Sequence, residues 1–317
     1  MFESLRVARY RVVFEAVDSV WLRQFSGSTF RGALGHAFKR VSCALPRKTC
    51  PTCLLRERCA YSVCFETPVP QGTALMRKYP YAPHPFVIEP PEDGAGSIAP
   101  GASIALGLTL IGRGNEYLPQ FIYAFEEMGQ AGLGRDRATL ALTGLDATDA
   151  SGGVERVYDH SAQRLEGEAP WMTHESIARR ADILAGRPLR LTFKTPTRIK
   201  THGALASKPA LAELMPGLLR RLTTLAYFHC DGPEEVDVKP LLEGARAVDT
   251  TRLDTQWVDW ERYSGRQKTR MRLGGFVGAL ECAPPPRPVL EALLWGELLH
   301  LGKASAFGLG RYEVGAQ

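Results

Sequence analysis

Residues 290–314 read LEALLWGELLHLGKASAFGLGRYEV and carry the clearest fold signal in the chain. Leucines recur at helical spacing over the first half, which predicts an amphipathic helix. The glycines that follow are Gly302, Gly308 and Gly310. They allow a close backbone approach to a ligand, and Lys303 and Arg311 place positive charge on both sides. Residues 311–314 are β-prone, so the stretch predicts a helix, an anion-binding loop and a closing strand. A capped helix followed by an ordinary turn, with no ligand, would show the same sequence pattern.

Composition and charge narrow the class of protein. The 317 residues are 44% hydrophobic, enough for one large or two moderate cores, which excludes wholesale disorder. The formal net charge of +5 is compatible with a nucleic-acid partner but not diagnostic of one. Charges interrupt the first residues where a signal peptide has its apolar core, and no apolar run approaches the roughly 20 residues of a membrane span. We expect a cytoplasmic protein without a membrane partner.

The order of predicted elements indicates an α+β fold with two similar halves. Apolar spacing predicts helices over 28–42 and 118–134, with β-prone stretches before, between and after them. The first half therefore reads strand, helix, strand, strand, helix, strand, and the same order recurs from Pro188. This is the βαββαβ pattern of tandem ferredoxin-like (RRM-like) domains, expected over 1–168 and 169–317. No repeat is visible residue by residue.

Several blocks of sequence resemble one family. The glycine loop and the blocks TFRGALGHAFKR, TPTRIKTHG and WERYSGRQKTRMRLGG are similar to those of the RAMP superfamily of CRISPR-associated proteins, in particular its repeat-processing endoribonuclease branch. The superfamily loop has two Gly-hydrophobic-Gly halves; the second is intact at 308–310, and His300 replaces the first glycine. The resemblance implies cleavage of precursor CRISPR RNA within each repeat, without a metal. Repeat RNA, and other subunits of a CRISPR-associated complex, are the partners it suggests.

The first predicted helix carries the preferred catalytic residues. A metal-free cut uses the RNA's own 2′-OH as nucleophile, so the protein must transfer protons and offset charge on the phosphorane. Histidine suits proton transfer, and His36 falls on the helix face away from the core. Lys39 and Arg40 follow at three and four residues, so the three side chains are expected to converge as a catalytic set. Gly32 and Gly35 would leave room for RNA.

Basic and aromatic residues farther along predict the RNA-binding surface. Every second residue of one predicted strand is a cation, which gives four charges on one face, here called the cationic ridge: Arg266, Lys268, Arg270 and Arg272. Trp257 and Trp260 lie just upstream and suit base stacking, although a solvated strand with aromatic core behind it is the alternative. His202 is a second candidate base, whereas His229 and His300 are expected in the core or at helix ends. The other expected RNA contacts are Arg198, Lys200, His202, Gly302, Lys303, Gly308, Gly310 and Arg311.

Five of the seven cysteines fall between Cys43 and Cys64. In a cytoplasmic chain such clustering indicates metal ligation before disulfides. A closed, structural zinc site in an insertion at about 43–68 would use four of these thiolates: Cys50, Cys53, Cys59 and Cys64. The alternatives are an iron–sulfur cluster on the same residues, Cys43 as a substitute ligand, and reduced cysteines without metal.

Two other functions fit the same sequence. A non-catalytic RAMP subunit would use this fold and loop to hold processed RNA in an interference complex, since a fold does not establish activity. A metal-binding RNA adaptor would instead use its cysteine segment to dock protein partners. His36, with Lys39 and Arg40 beside it in sequence, favours the nuclease.

Overall fold

The computed structural model describes nearly the whole chain. The described residues are 2–91, 95–167, 169–201, 203–233, 235–264 and 269–317. The side chains of residues 262–264 and 270–272 are not described. In the described part of the chain, no helix is both long enough and apolar enough to cross a membrane.

The chain divides into two compact units. The first comprises Ser4–Met172 and Thr224–Glu234; the second comprises Met1–Glu3, Thr173–Thr223 and Glu235–Gln317. The division after residue 172 lies slightly beyond the expected boundary. Residues 224–234 were expected in the second domain but belong to the first unit. They include the end of a long helix, and they pack against other residues of the first unit.

The first unit is a ferredoxin-like βαββαβ unit with added strands, as predicted. Its strands are β1 (Val7–Ala16), β2 (Val20–Leu22), β3 (Phe86–Glu89), β4 (Gly96–Ile98), β5 (Ser103–Ile111), β6 (Leu140–Thr148), β7 (Val154–Asp159) and β8 (Arg164–Leu165). Its helices are α1 (Gly27–Ser42) and α2 (Leu118–Ala131). The sheet order is β3-β5-β1-β6-β7-β8, and β1 is antiparallel to both neighbours, so Val12 pairs with Leu106 and with Leu145. β2 and β4 form a separate two-stranded ladder.

The two faces of this sheet differ in chemistry. Alternate residues of β1 face the helices, and Phe14 is fully buried with its ring 6.1 Å from that of Phe125. On the other face Arg9 lies 3.2 Å from Glu89, and Arg11 also has an acidic partner in β6. Because these cations are already paired with carboxylates, the β1 face is a poor phosphate-binding surface.

The second unit repeats the ferredoxin-like order. Its strands are β9 (Leu189–Thr197), β10 (Lys200–Thr201), β11 (Ala204–Leu205), β12 (Thr250–Val258), β13 (Glu261–Ser264), β14 (Thr269–Arg272), β15 (Gly275–Cys282) and β16 (Tyr312–Ala316). The remaining helices are α3 (His174–Leu184), α4 (Leu211–His229), α5 (Lys239–Arg246) and α6 (Arg287–Leu299). The sheet order is β12-β15-β9-β16, so β9 is an inner strand. The predicted hairpin is formed by β12 and β15. Between these two strands in the sequence, β13 and β14 pair with each other as a separate two-stranded ladder. The prediction of tandem ferredoxin-like units is confirmed.

Candidate RNA-binding and catalytic site

The glycine-rich loop joins α6 to β16 in the second unit. The loop residues with positive φ are His300 (63°), Gly302 (90°), Ala304 (64°), Gly308 (80°) and Gly310 (76°). Glycine adopts this region without steric penalty, unlike other residues. A Cβ on Gly310 would lie 1.7 Å from the carbonyl oxygen of Leu301, and one on Gly302 would lie 2.6 Å from that of Arg198. The loop conformation therefore requires glycine at both positions.

Hydrogen bonds hold this loop against the end of β9. The Lys303 N–H donates to the Arg198 carbonyl at 3.0 Å. The Thr195 hydroxyl donates to the Gly308 carbonyl at 2.8 Å and accepts from the Arg311 N–H at 2.9 Å. Because backbone groups on both sides of the loop are bonded to the same strand end, the loop is preorganised before any ligand binds.

His300 occupies the position where the superfamily loop has its first glycine. Its φ of 63° and ψ of 160° lie in a region that is essentially reserved for glycine. The side chain is fully buried, and its Nδ1 lies 3.2 Å from the Leu309 carbonyl oxygen. Nearby, the Arg221 guanidinium donates at 2.8 Å to the carbonyl of Leu299, the last residue of α6. His300 is thus a buried helix-end residue, as predicted, and burial makes it a poor direct contact for RNA.

Basic side chains gather beside the loop in what we call the cationic cluster: Arg198, Lys200, Arg220 and Lys303. Partial burial lowers the pKa of Lys303, and the positive charges of the other three lower it further. An anion bound among these cations would relieve their mutual repulsion, and a phosphate suits the charge and the adjacent glycine backbone. Sequence reasoning missed Arg220, which lies on α4; the only signal was a basic pair, Arg220 and Arg221, inside an apolar helix.

Arg311 is not part of the cationic cluster. Its side chain is only 19% exposed and lies 3.8 Å from the Glu313 carboxylate. Its backbone N–H is bonded to Thr195. Arg311, expected as a phosphate contact, therefore has a carboxylate near its guanidinium and contributes to holding the loop.

Most of the cationic ridge lies outside the described residues. His202, Arg266 and Lys268 are outside them, as are the side chains of Arg270 and Arg272. The ridge therefore stays a prediction. Upstream of it, Trp257 is 36% exposed and its Nε1 donates to the Asp259 carboxylate at 2.9 Å, while Trp260 is half-buried.

In the first unit, His36 lies on the exposed face of α1, as predicted. Its neighbours do not gather around it. The Arg40 Nε lies 2.7 Å from the Glu127 carboxylate on α2, and the Lys39 Nζ lies 5.5 Å from the centre of the Tyr61 ring. Helical spacing alone suggested convergence, but an adjacent helix and an aromatic ring supply closer partners for both cations.

The two glycines of α1 differ in their surroundings. A Cβ on Gly32 would meet no atom within 4 Å, whereas one on Gly35 would lie 3.3 Å from the Phe65 ring. Arg31 lies 5.0 Å above that ring and also covers Gly35. The prediction that both glycines leave room for RNA is wrong for Gly35, because the segment that follows α1 folds back over it.

The cysteines of the first unit fall into two groups. The partly exposed ones are Cys43, Cys50, Cys53 and Cys59. Cys64, expected as a ligand with three of these, is fully buried in a π-helical turn at Ser62–Glu66, and burial strongly raises its pKa. Burial also raises the pKa of Cys50, and Glu66, Cys59 and Cys43 add to that effect. In the described part of the chain, no three His, Cys, Asp or Glu side chains are grouped closely enough to hold a metal ion. The zinc site stays a prediction.

Comparison with known families agrees with this fold and loop. The AF_1859_N family model, described as an N-terminal domain, matches residues 5–170, and the model of the CRISPR-associated endoribonuclease Cas6 matches residues 191–312. The first match covers more than half of the chain, which therefore belongs to the AF_1859_N family; together with the Cas6 match it indicates a CRISPR-associated, repeat-processing RAMP-type protein. Curated protein sequences contain no match to it.

Solved structures share the fold over nearly the whole chain. A chain of a partial Cas6-RT-Cas1–Cas2 complex is 13% identical with a TM-score of 0.62, and the match covers 100% of this chain and 47% of that one. This chain thus spans about half the length of that protein. A Cas6 product complex is 14% identical, with a TM-score of 0.56 and coverages of 96% and 98%. A Thermus thermophilus Cas6 is 15% identical, with a TM-score of 0.52 and coverages of 97% and 98%.

Proposed function

We propose that this chain cuts precursor CRISPR RNA within its repeats, without a metal ion. The observation that carries the proposal is the cationic cluster beside a glycine loop that is already held in one conformation. This arrangement suits a phosphate of the RNA backbone, and the matched Cas6 family is one of endoribonucleases. We further propose that the chain works in the cytoplasm with other CRISPR-associated proteins; one structural relative is a partial Cas6-RT-Cas1–Cas2 complex.

The proposed reaction is an internal transesterification. The 2′-oxygen attacks the adjacent phosphorus as its proton passes to a base, and the bond from phosphorus to the 5′-oxygen breaks. The 5′-oxygen leaves as a hydroxyl after taking a proton from an acid, and the other product ends in a 2′,3′-cyclic phosphate. His36 is the proposed base because it is an exposed histidine on the first helix. The cationic cluster holds the RNA backbone, and Lys39 and Arg40 stay proposed as charge-stabilising groups once RNA displaces their present partners.

The experiment uses one repeat RNA in two forms. The purified chain is incubated with it in EDTA, and again with the same RNA carrying a 2′-deoxy substitution at the cut site. Cleavage of only the first supports the proposal, since the deoxy RNA lacks the nucleophile. Cleavage of the deoxy RNA, or a requirement for divalent metal, contradicts it.

His36→Ala tests the proposed base. We expect single-turnover cleavage to fall by about 100-fold or more while RNA affinity changes little. His160→Ala, a partly exposed histidine of the same unit, is the matched control and should keep the wild-type rate. An unchanged rate in His36→Ala would remove His36 from the mechanism.

One observation favours the alternative of a subunit that only holds RNA. Lys39 and Arg40 contact Tyr61 and Glu127, so the catalytic set around His36 is not assembled without RNA. Tight binding of repeat RNA with no cleavage of either form would support that alternative.

A further inference from the structure

A loop of the first unit, residues 67–85, lies beside the end of α4 and leads into β3. The Ala82 N–H donates to the Thr67 carbonyl at 2.8 Å, and the Val69 N–H donates to the Pro80 carbonyl at 3.3 Å. These bonds join the two ends of the loop. The loop also contains five prolines, each of which fixes its own φ angle. Its backbone therefore has little conformational freedom to lose when a ligand binds.

Side chains at the end of α4 hold the same loop. The buried His229 donates from its Nε2 to the Pro83 carbonyl at 2.7 Å. The Thr73 hydroxyl donates to the Tyr227 hydroxyl at 3.0 Å. Because the loop is tied to itself and to the helix, the space between them exists before any ligand binds.

That space is a cavity of about 240 Å³, here called the inner cavity. It is smaller than the roughly 300–1,000 Å³ of pockets for drug-sized molecules, so it suits a single ring. Its apolar lining includes Val63, Ala82 and the half-buried ring of Phe228. An aromatic side chain in such a lining offers a surface on which a flat ring can stack.

The other lining groups of the inner cavity are polar, and cations outnumber acids. Arg56 and Arg113 both line it, and in the described part of the chain neither guanidinium is paired with a carboxylate. Gln71 offers an amide with two donors and an acceptor, and Glu57 offers acceptors only. An apolar wall, hydrogen-bonding edge groups and two unpaired guanidiniums match the base and the phosphate of a nucleotide.

A more open hollow of about 720 Å³ adjoins the inner cavity. The two share Arg56 and residues 69–71 as a common wall. The hollow adds Arg77 and Tyr79, whose side chain is 58% exposed. Each space thus has one aromatic ring and its own arginine. Neighbouring aromatic rings among cations are typical of sites that bind single-stranded nucleic acid, whereas a free mononucleotide would need only the inner cavity.

We propose that the inner cavity and the adjoining hollow bind two consecutive unpaired nucleotides of the repeat RNA. One base stacks on Phe228 with its phosphate between Arg56 and Arg113, and the next base stacks on Tyr79 beside Arg77. The inference rests on the proposed function for the identity of the ligand, but it does not require that the RNA be cut.

The first test measures RNA binding by fluorescence anisotropy over a salt series. It uses the repeat RNA with a 2′-deoxy substitution at the cut site, so the result does not depend on cleavage. Phe228→Leu keeps an apolar side chain but removes the stacking surface, and it should weaken binding by about fivefold or more. Arg113→Gln should reduce the slope of log affinity against log salt by about one, because one phosphate contact is lost.

Tyr123→Leu is the matched control. Tyr123 is a 60% exposed aromatic residue on α2, and its replacement should change affinity by less than about twofold. Wild-type affinity and salt slope in both Phe228→Leu and Arg113→Gln would overturn the inference, even if the unmodified RNA is cut. Weakened binding in these variants, with no cleavage of unmodified RNA by the wild type, would instead support this site and contradict the proposed reaction.

A second measurement uses the wild-type chain and so covers variants that fail to fold. The repeat RNA is cross-linked to it with ultraviolet light, and the modified residues are identified by mass spectrometry. We expect cross-links at Phe228, at Tyr79 or within residues 69–71. Cross-links confined to other parts of the chain would overturn the inference.

Competition distinguishes RNA from a free nucleotide as the ligand. Each of the four 5′-mononucleotides is added to the complex with the repeat RNA, and displacement is followed by anisotropy. We expect displacement only at millimolar concentrations, since a mononucleotide fills one of the two spaces. A mononucleotide that binds at micromolar concentration to the wild type but not to Arg113→Gln, without displacing the RNA, would assign the inner cavity to a free nucleotide and overturn the inference.

Discussion

Both units have the sequence Gly-Leu-Gly-Arg between their second core helix and their last core strand, at 132–135 and at 308–311. The two turns share their φ angles but differ in ψ, which is 154° at Gly132 and 6° at Gly308. The φ angles are 80° and 72° at Gly132 and Gly134, and 80° and 76° at Gly308 and Gly310. The middle leucine is buried in both turns, at 3% and 2% exposure.

The two turns differ in what surrounds them. In the first unit, Leu133 and Ala138 exchange backbone hydrogen bonds of 2.8 and 3.1 Å, which close a short turn. The residues between them include Arg135, Asp136 and Arg137, which are exposed and carry charges of both signs. In the second unit, residues 300–307 precede the turn and add Lys303 to three other cations. The shared glycines make the turn, whereas the added residues and their neighbours make the anion site.

Replacing one glycine of each turn by alanine should give the largest difference in stability between the two turns. Gly310→Ala puts a Cβ 1.7 Å from a backbone oxygen at positive φ, so we expect a loss of about 3 kcal/mol or more in the free energy of unfolding. Gly134→Ala meets open space and should lose only about 1 kcal/mol from its φ of 72°. Urea denaturation measures both, with Gly315→Ala as a near-neutral control. Equal losses at the two positions would show that the turns are equally constrained.

Charge reversal tests which turn binds RNA. Lys303→Glu should weaken binding of repeat RNA by about tenfold at low salt and reduce the salt dependence, because the cationic cluster loses a phosphate contact. Arg135→Glu should change affinity by less than about twofold, since Arg135 is exposed and its neighbours Asp136 and Arg137 carry opposite charges. Fluorescence anisotropy over a salt series measures both. A larger effect from Arg135→Glu would place RNA on the first turn instead.

The lowered pKa of Lys303 predicts a pH effect on binding. Partial burial and the cations around it favour the neutral amine, so the ammonium loses its proton at a lower pH than an ordinary lysine. As pH rises toward about 10, RNA affinity should fall in the wild type more than in Lys303→Arg, whose guanidinium stays charged. Anisotropy at matched ionic strength measures the two profiles. Parallel profiles would mean that the charge of Lys303 does not contribute to binding.

The last test concerns the backbone at His300. Its backbone lies in a region suited to glycine, so His300→Gly should be more stable than His300→Ala by about 1 to 2 kcal/mol, although both lose the imidazole contact with Leu309. Urea denaturation of the pair measures the difference. An alanine variant at least as stable as the glycine variant would show that this backbone conformation carries no such penalty.

Sequence patterns predicted the regular elements well and the site only in part. Apolar spacing located α1 to within a residue. Apolar spacing places Val41 on the core face of α1, but it is 39% exposed because it lies at the end of the helix. Arg220 was missed, and Gly35 was assigned to open space, because both depend on which distant side chains come to lie beside them.

The sequence by itself determined the order of helices and strands and the glycine loop, because periodicity and positive-φ turns depend on residues close together in the chain. Only the tertiary structure decided that Lys303 lies within electrostatic range of Arg220, that Arg40 pairs with Glu127, and that Cys64 is buried while Cys43 is accessible. These relations come from packing between segments far apart in sequence, where position along the chain carries no information about distance in space.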